Sequence, residues 1–244
     1  MRSTAETGHA KIVANFQTLI AFAKGYGTTY NPAKNSLKIP QLEALLAEAK
    51  ASLTDVLAKN TAYNSKVNER SVAFSDLKTF STRLLNALHA TEASPQLIDD
   101  AKGYNRKIQG QRKTTPKPVL EDADARAPKL NSTSHQSYVQ MVNHFEGLIS
   151  VLSSEPTYTP NETDLQIATL QTKKTILENK NEAVETAFTQ ISNSRNARNA
   201  TLYDNKESIY EIATEVKKYV KSIYGTKSPE FAQVSSILFK KSKK

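Results

Sequence analysis

The sequence predicts an all-α fold: an elongated helical bundle of two tandem repeats, each with a long heptad-patterned helix, packed with pseudo-two-fold symmetry. Three observations carry that expectation. Alternating steps of three and four run from Ile39 to Phe74 through Leu42, Leu46, Ala49, Leu53, Val56, Tyr63 and Val67, with Asn60 and Arg70 as polar members. Such a run marks a helix with one narrow buried seam. At an offset of 128 residues the same steps reappear from Ile167 to Leu202, through Leu170, Leu177, Val184, Phe188 and Ile191, with Lys174, Asn181, Arg195 and Arg198 as polar members. Composition agrees, since 244 residues with only seven glycines, 38% hydrophobic content and no tryptophan suit helices that bury one stripe each. Caps and loops recur along with the heptads. The chain therefore divides into a first repeat (1–110), a charged linker containing prolines (111–134) and a second repeat (135–244) that ends in a basic tail.

Taken in order, the first helix opens near Ser3, where Ser3-x-x-Glu6 has capping-box spacing, or nearer His9 because Gly8 weakens that turn. It presents Ile12, Phe16, Leu19, Ile20 and Ala23, and Gly25 and Gly27 end it. The heptad helix follows, with Pro40 tolerable in its first turn. At roughly 35 residues it would run on the order of 50 Å. A break is expected at Ala73–Asp76, with Ser75 or Asp76 capping a third helix that buries Leu77, Phe80, Leu84 and Leu88. Ser94-Pro95 reads as an N-cap followed by Pro at the first helical position, and a short fourth helix then carries Leu97, Ile98, Ala101 and Ile108. Pro116, Pro118 and Pro128 mark the linker.

The second half replays this order. Met141, Val142, Phe145, Leu148, Ile149 and Leu152 form its opening helix, and Tyr158-Thr-Pro160 echoes Tyr30-Asn-Pro32. A second break is expected near Leu202–Asp204, with Asp204 matching Asp76. Ile209, Ile212, Val216, Val220 and Ile223 follow, then Ser228-Pro229 ahead of Phe231, Val234 and Leu238.

The net charge of +9 is localised. Residues 103–117 carry Arg106, Lys107, Arg112, Lys113 and Lys117 without an acid, and the last five residues carry Lys240, Lys241, Lys243 and Lys244. These nine cations equal the whole net charge, which leaves the bundle balanced. They are the candidate phosphate contacts for a nucleic acid. The plainer reading of the same residues is solubility.

Arg70 and Arg198 stand on corresponding seam positions near the ends of the long helices. One reading makes them an anion pocket. The favoured one pairs each with a nearby carboxylate, Asp76 and Asp204, or lets it snorkel to solvent. Reactive constellations are not found. Without cysteine there is no disulfide or thiolate chemistry. Glu6-x-x-His9 is the one helical metal-ligand spacing, and the second half has no copy of it. Arg83 and His89 only distantly match the Arg/His motif of small helical ribonucleases. No catalytic residue, metal or cofactor is expected.

Asn105, Arg106, Lys107, Ile108, Gly110 and Arg112, together with VKKYVKSIYG (Val216 to Gly225) and Ser228-Pro229, resemble a group of uncharacterised bacterial proteins built from two such helical halves. The resemblance implies a duplicated bundle and brings no known activity. The expected function is thus a non-enzymatic scaffold or protein-interaction module, with a protein partner or self-association. Nucleic-acid association is the alternative. A cytoplasmic location is expected, because no signal core or membrane-spanning stretch is seen.

Overall fold

The computed structural model describes residues 8–111 and 136–240, and among them every regular element is helical. In chain order these are α1 (His9–Gly25), α2 (Ile39–Phe74), α3 (Leu77–His89), α4 (Pro95–Gln109), α5 (Tyr138–Ser153), α6 (Ile167–Asn199), α7 (Ile209–Tyr224) and α8 (Pro229–Ser235). Short 3-10 turns at Asn35–Leu37 and Thr163–Leu165 precede the two long helices, and a π turn at Ala200–Asp204 follows α6.

The described residues form two compact units. The terminal unit holds those before Asn64 and after Thr186, and the central unit is Asn64–Thr186. In the terminal unit α1 packs on α7 and α8; in the central unit α5 packs on α3 and α4. Each unit therefore draws on both halves of the sequence. The division into residues 1–110 and 135–244 follows the repeat pattern, whereas the compact units divide inside α2 and α6. The terminal core gathers Phe16, Leu19, Leu42, Ile209, Ile212 and Val216. The central core gathers Leu77, Leu84, Phe145, Leu148, Leu170 and Leu177.

Local chemistry sets the element ends. α1 begins at His9 after Gly8, whose φ of 141° is open to glycine. Ser94 and Ser228 cap α4 and α8 by accepting from the N–H groups of Leu97 (3.2 Å) and Phe231 (3.1 Å), with Pro at the next position. Ser137 and Ser208 do the same for α5 and α7. The break between α2 and α3 falls where expected, but Asp76 caps α3 without a side-chain hydrogen bond. Its carboxylate is held instead by Lys173, at 2.7 and 3.0 Å. The second break is a π turn rather than a clean stop, and it buries Thr201, Leu202 and Tyr203.

On α2 no seam position is exposed, polar members included. On α6 the predicted seam fails at two places: Phe188 (52% exposed) and Arg195 face solvent, while Ala187 and Ser194 take the buried places. The change begins where α6 passes from the central unit into the terminal one, between Thr186 and Ala187. Leu238 is likewise 62% exposed, because α8 stops at Ser235.

Candidate functional site

The most regular polar feature is a row of acids along α2 and just past its end. In the terminal unit Glu48 accepts from the Thr201 hydroxyl (2.9 Å) and Asp55 from Ser194 (2.6 Å). In the central unit Glu69 accepts from Lys180 (2.8 Å) and Asp76 from Lys173 (2.7 Å). In each unit seven residues forward on α2 correspond to seven residues back along the partner strand of helix, which is an antiparallel heptad register. The donors differ: hydroxyls in the terminal unit, ammonium groups in the central one. Glu69 also accepts from Lys66 at 2.9 Å. Those two lysines, Lys180 first, hold its carboxyl down at about 2. An apolar seam alone does not reveal Glu48, Asp55 and Glu69, and it points to Asp76 only as a cap or a partner for Arg70. Their seven-residue spacing beside the seam was the signal that could have found them.

The two seam arginines belong to different units. Arg70, in the central unit, does not pair with Asp76, which Lys173 has taken. Its guanidinium carbon lies 4.2 Å from the centre of the Tyr138 ring, which in turn meets Phe74 edge-on at 4.8 Å. Arg70 Nε is buried without a hydrogen-bond partner, as is Asn181 Oδ1. Both residues sit one position beyond the Glu69–Lys180 bond. Arg198, in the terminal unit, bonds Asn199 Oδ1 through Nε (3.1 Å) and Nη2 (2.8 Å), not Asp204. Close to it, His9 Nδ1 and the Tyr203 hydroxyl share a 2.8 Å hydrogen bond. Burial pulls both Arg198 and His9 below their ordinary ranges, and the Arg198 charge lowers His9 further.

Among the predicted phosphate contacts, Arg106 and Lys107 are exposed in the last turn of α4, in the central unit. There they complement the negative end of the helix dipole, and the Lys107 ammonium lies 5.1 Å from the Tyr104 ring. Lys240 is exposed in the terminal unit. Arg112, Lys113, Lys117, Lys241, Lys243 and Lys244 lie outside the described residues, as do Ser3 and Glu6.

Arg83 forms an ion pair with Asp164 at 2.8 Å, at the rim of a 510 Å³ cavity between the end of α3 and the Tyr158 loop. His89 is exposed and does not line that cavity, so the Arg83/His89 pair is not assembled. A second cavity, of 590 Å³, lies in the terminal unit beside Ser36, Glu48, Thr201 and Glu207. Among the described residues no three His, Asp or Glu side chains are grouped to hold a metal ion, and no helix is long and apolar enough to cross a membrane.

Each unit also carries the same loop lock. The Tyr30 hydroxyl donates to the Leu37 carbonyl at 2.8 Å, and Tyr158 donates to Leu165 at 3.0 Å. Burial raises both phenols, Tyr158 to about 12. Comparison with known proteins adds no relative to this geometry: no protein-family model, curated protein or solved structure matches the chain.

Proposed function

We propose that the chain is a non-enzymatic, cytoplasmic helical scaffold that presents helix faces to a protein partner. The observation that carries this reading is the heptad-spaced row of acids, because such flanking contacts fix the direction and register of the long helices within each unit and so build a rigid frame. Duplication of one helical unit, with the two copies intertwined about a pseudo-two-fold axis, is part of the proposal. It is supported by the paired tyrosine locks, the paired Ser-Pro caps, and the packing of each half's opening helix on the other half's closing helices.

Affinity purification of the tagged chain, with and without nuclease, tests it. The scaffold reading expects the same stoichiometric protein partner, or the chain itself, in both preparations. A partner set that vanishes with nuclease would overturn it in favour of nucleic-acid association. The exposed Arg106, Lys107 and Lys240 favour that second reading, as phosphate contacts without sequence preference.

A further inference from the structure

In each unit a helix docks against the tyrosine loop in the same way, yet one of the two junctions is filled and the other open. Leu77, Phe80, Leu84 and Leu88 are buried along α3 at the spacing that buries Ile209, Ile212, Val216 and Val220 along α7. An ion pair joins each helix to its loop, with the charges exchanged: Arg83 with Asp164 at 2.8 Å, and Glu215 with Lys34 at 2.6 Å. Arg83 stands six residues after Leu77, as Glu215 stands six after Ile209. The two helices therefore meet their loops in one register.

Four residues further along, they part. In the terminal unit Tyr219 meets Tyr30 edge-on, with ring centres 5.3 Å apart, and its hydroxyl accepts from the Asn31 N–H at 3.2 Å. The corresponding residue of α3 is Ala87. Where the tyrosine would lie, Ala87, Ala90, Tyr158, Thr159 and Pro160 line the 510 Å³ cavity of the central unit. That volume falls in the ~300–1,000 Å³ range of ligand pockets. The Thr159 N–H, counterpart of the Asn31 donor, turns back to the Thr157 carbonyl at 3.0 Å. Residues 1–7, 112–135 and 241–244, outside the described ones, include no Phe, Tyr or Trp. A ring that fills the cavity has to come from another molecule.

We propose that this cavity receives a tyrosine side chain of the protein partner, seated as Tyr219 is seated in the terminal unit; the proposal rests on the scaffold reading for that partner. The incoming ring lies against Ala87 and Ala90 and meets Tyr158 edge-on, an arrangement that favours aromatic pairs beyond the area they bury. Its hydroxyl accepts from the Thr159 N–H, as that of Tyr219 accepts from Asn31. This hydrogen bond selects tyrosine over phenylalanine. A single aromatic anchor in a preformed pocket is a common centre of binding energy at protein interfaces.

The test titrates the full chain with N-acetyltyrosinamide and follows the methyl signals of Ala90 and Thr159 by NMR. Saturable shifts are expected, with Kd on the order of 1 mM for so small a ligand. N-acetylphenylalaninamide should bind about fivefold more weakly. Ala87→Tyr, which fills the cavity from within, should weaken binding tenfold or more. Tyr219→Ala opens the matching place in the terminal unit and should add a second site, read from the Tyr30 ring signals. Affinity purification supplies the other arm: Ala87→Tyr should lose a protein partner that the wild type retains. Wild-type affinity for the amide in Ala87→Tyr, or a still Tyr30 signal in Tyr219→Ala, overturns the proposal. So does a partner retained by Ala87→Tyr, or a dimer of this chain split by it. Absent shifts beside a retained partner sink the cavity alone. Intact amide binding with no protein partner sinks the scaffold reading, and the partner's tyrosine with it.

Discussion

The two units open alike and close differently. Both begin with a helix, a tyrosine locked onto a leucine carbonyl and a 3-10 turn into a long helix. The central unit closes with α4, fifteen residues laid close against α5, where a Cβ on Gly147 would sit 2.2 Å from the Tyr104 ring. The terminal unit closes with α8, only seven residues. It makes up the difference with side chains that bond the backbone. The Tyr26 hydroxyl donates to the Glu230 carbonyl at 3.0 Å, Asn15 donates to Leu238 at 2.7 Å, and the Lys217 ammonium donates to Ile237. One opening thus tolerates two closures, backbone approach in one unit and polar tethering in the other.

The largest test of the likeness is Phe16→Ala against Phe145→Ala, because both rings are fully buried at matching places. Each should cost about 3–5 kcal/mol in urea melts. Hydrogen exchange should rise most in α7 and α8 for the first variant, and in α3 and α4 for the second. A rise in α3 and α4 on Phe16→Ala would break the pairing.

The difference in closure is tested by Gly147→Ala. Overpacking against Tyr104 should destabilise by about 1–3 kcal/mol. Gly103→Ala, with nothing within 4 Å of the added carbon, should instead stabilise by up to about 1 kcal/mol. Equal melts for the two variants would show that α4 and α5 do not approach as closely as described.

Smaller, and equal in the two units, should be the loss of the tyrosine locks. Tyr30→Phe and Tyr158→Phe each leave a buried carbonyl without its donor, at about 0.5–1.5 kcal/mol in thermal melts. A marked inequality would show that one loop is held by something else.

Smallest is the polar row, where the units differ by donor. Glu69 has its folded carboxyl depressed to about 2, against about 4.3 when unfolded. Its contribution is therefore present in full above the unfolded value and is lost as pH falls toward about 2. The stability difference between wild type and Glu69→Gln, from melts across that range, should be level above about pH 5 and close as pH drops. A difference independent of pH would remove the charge from the explanation.

Most of the helices were legible because heptad spacing and Ser-Pro caps are local signals. Leu77, Phe80, Leu84 and Leu88 are all buried where the spacing put them. What escaped was non-local. Asp76 has the composition and place of a cap, yet Lys173, 97 residues away in sequence, takes its carboxylate. Arg70 looked like a partner for that acid, and only the fold brings Tyr138 under its guanidinium. The π turn gives no sign in ATLYD, and Arg198 bonds its neighbour Asn199 rather than Asp204. Gly147 sits in a helix interior, where spacing alone does not show what approaches it.

The central claim is that the opening helix of the first half is closed by the end of the second. The chain has no cysteine, so a pair introduced at Asn15 and Leu238 would be the only one present. Intramolecular crosslinking of Asn15→Cys/Leu238→Cys by a short bismaleimide, in dilute solution, measures the claim directly. Those two residues are joined by the 2.7 Å hydrogen bond from the Asn15 amide to the Leu238 carbonyl. The account predicts a high yield of crosslinked monomer. Two cysteines that both label freely yet form no intramolecular link would contradict it.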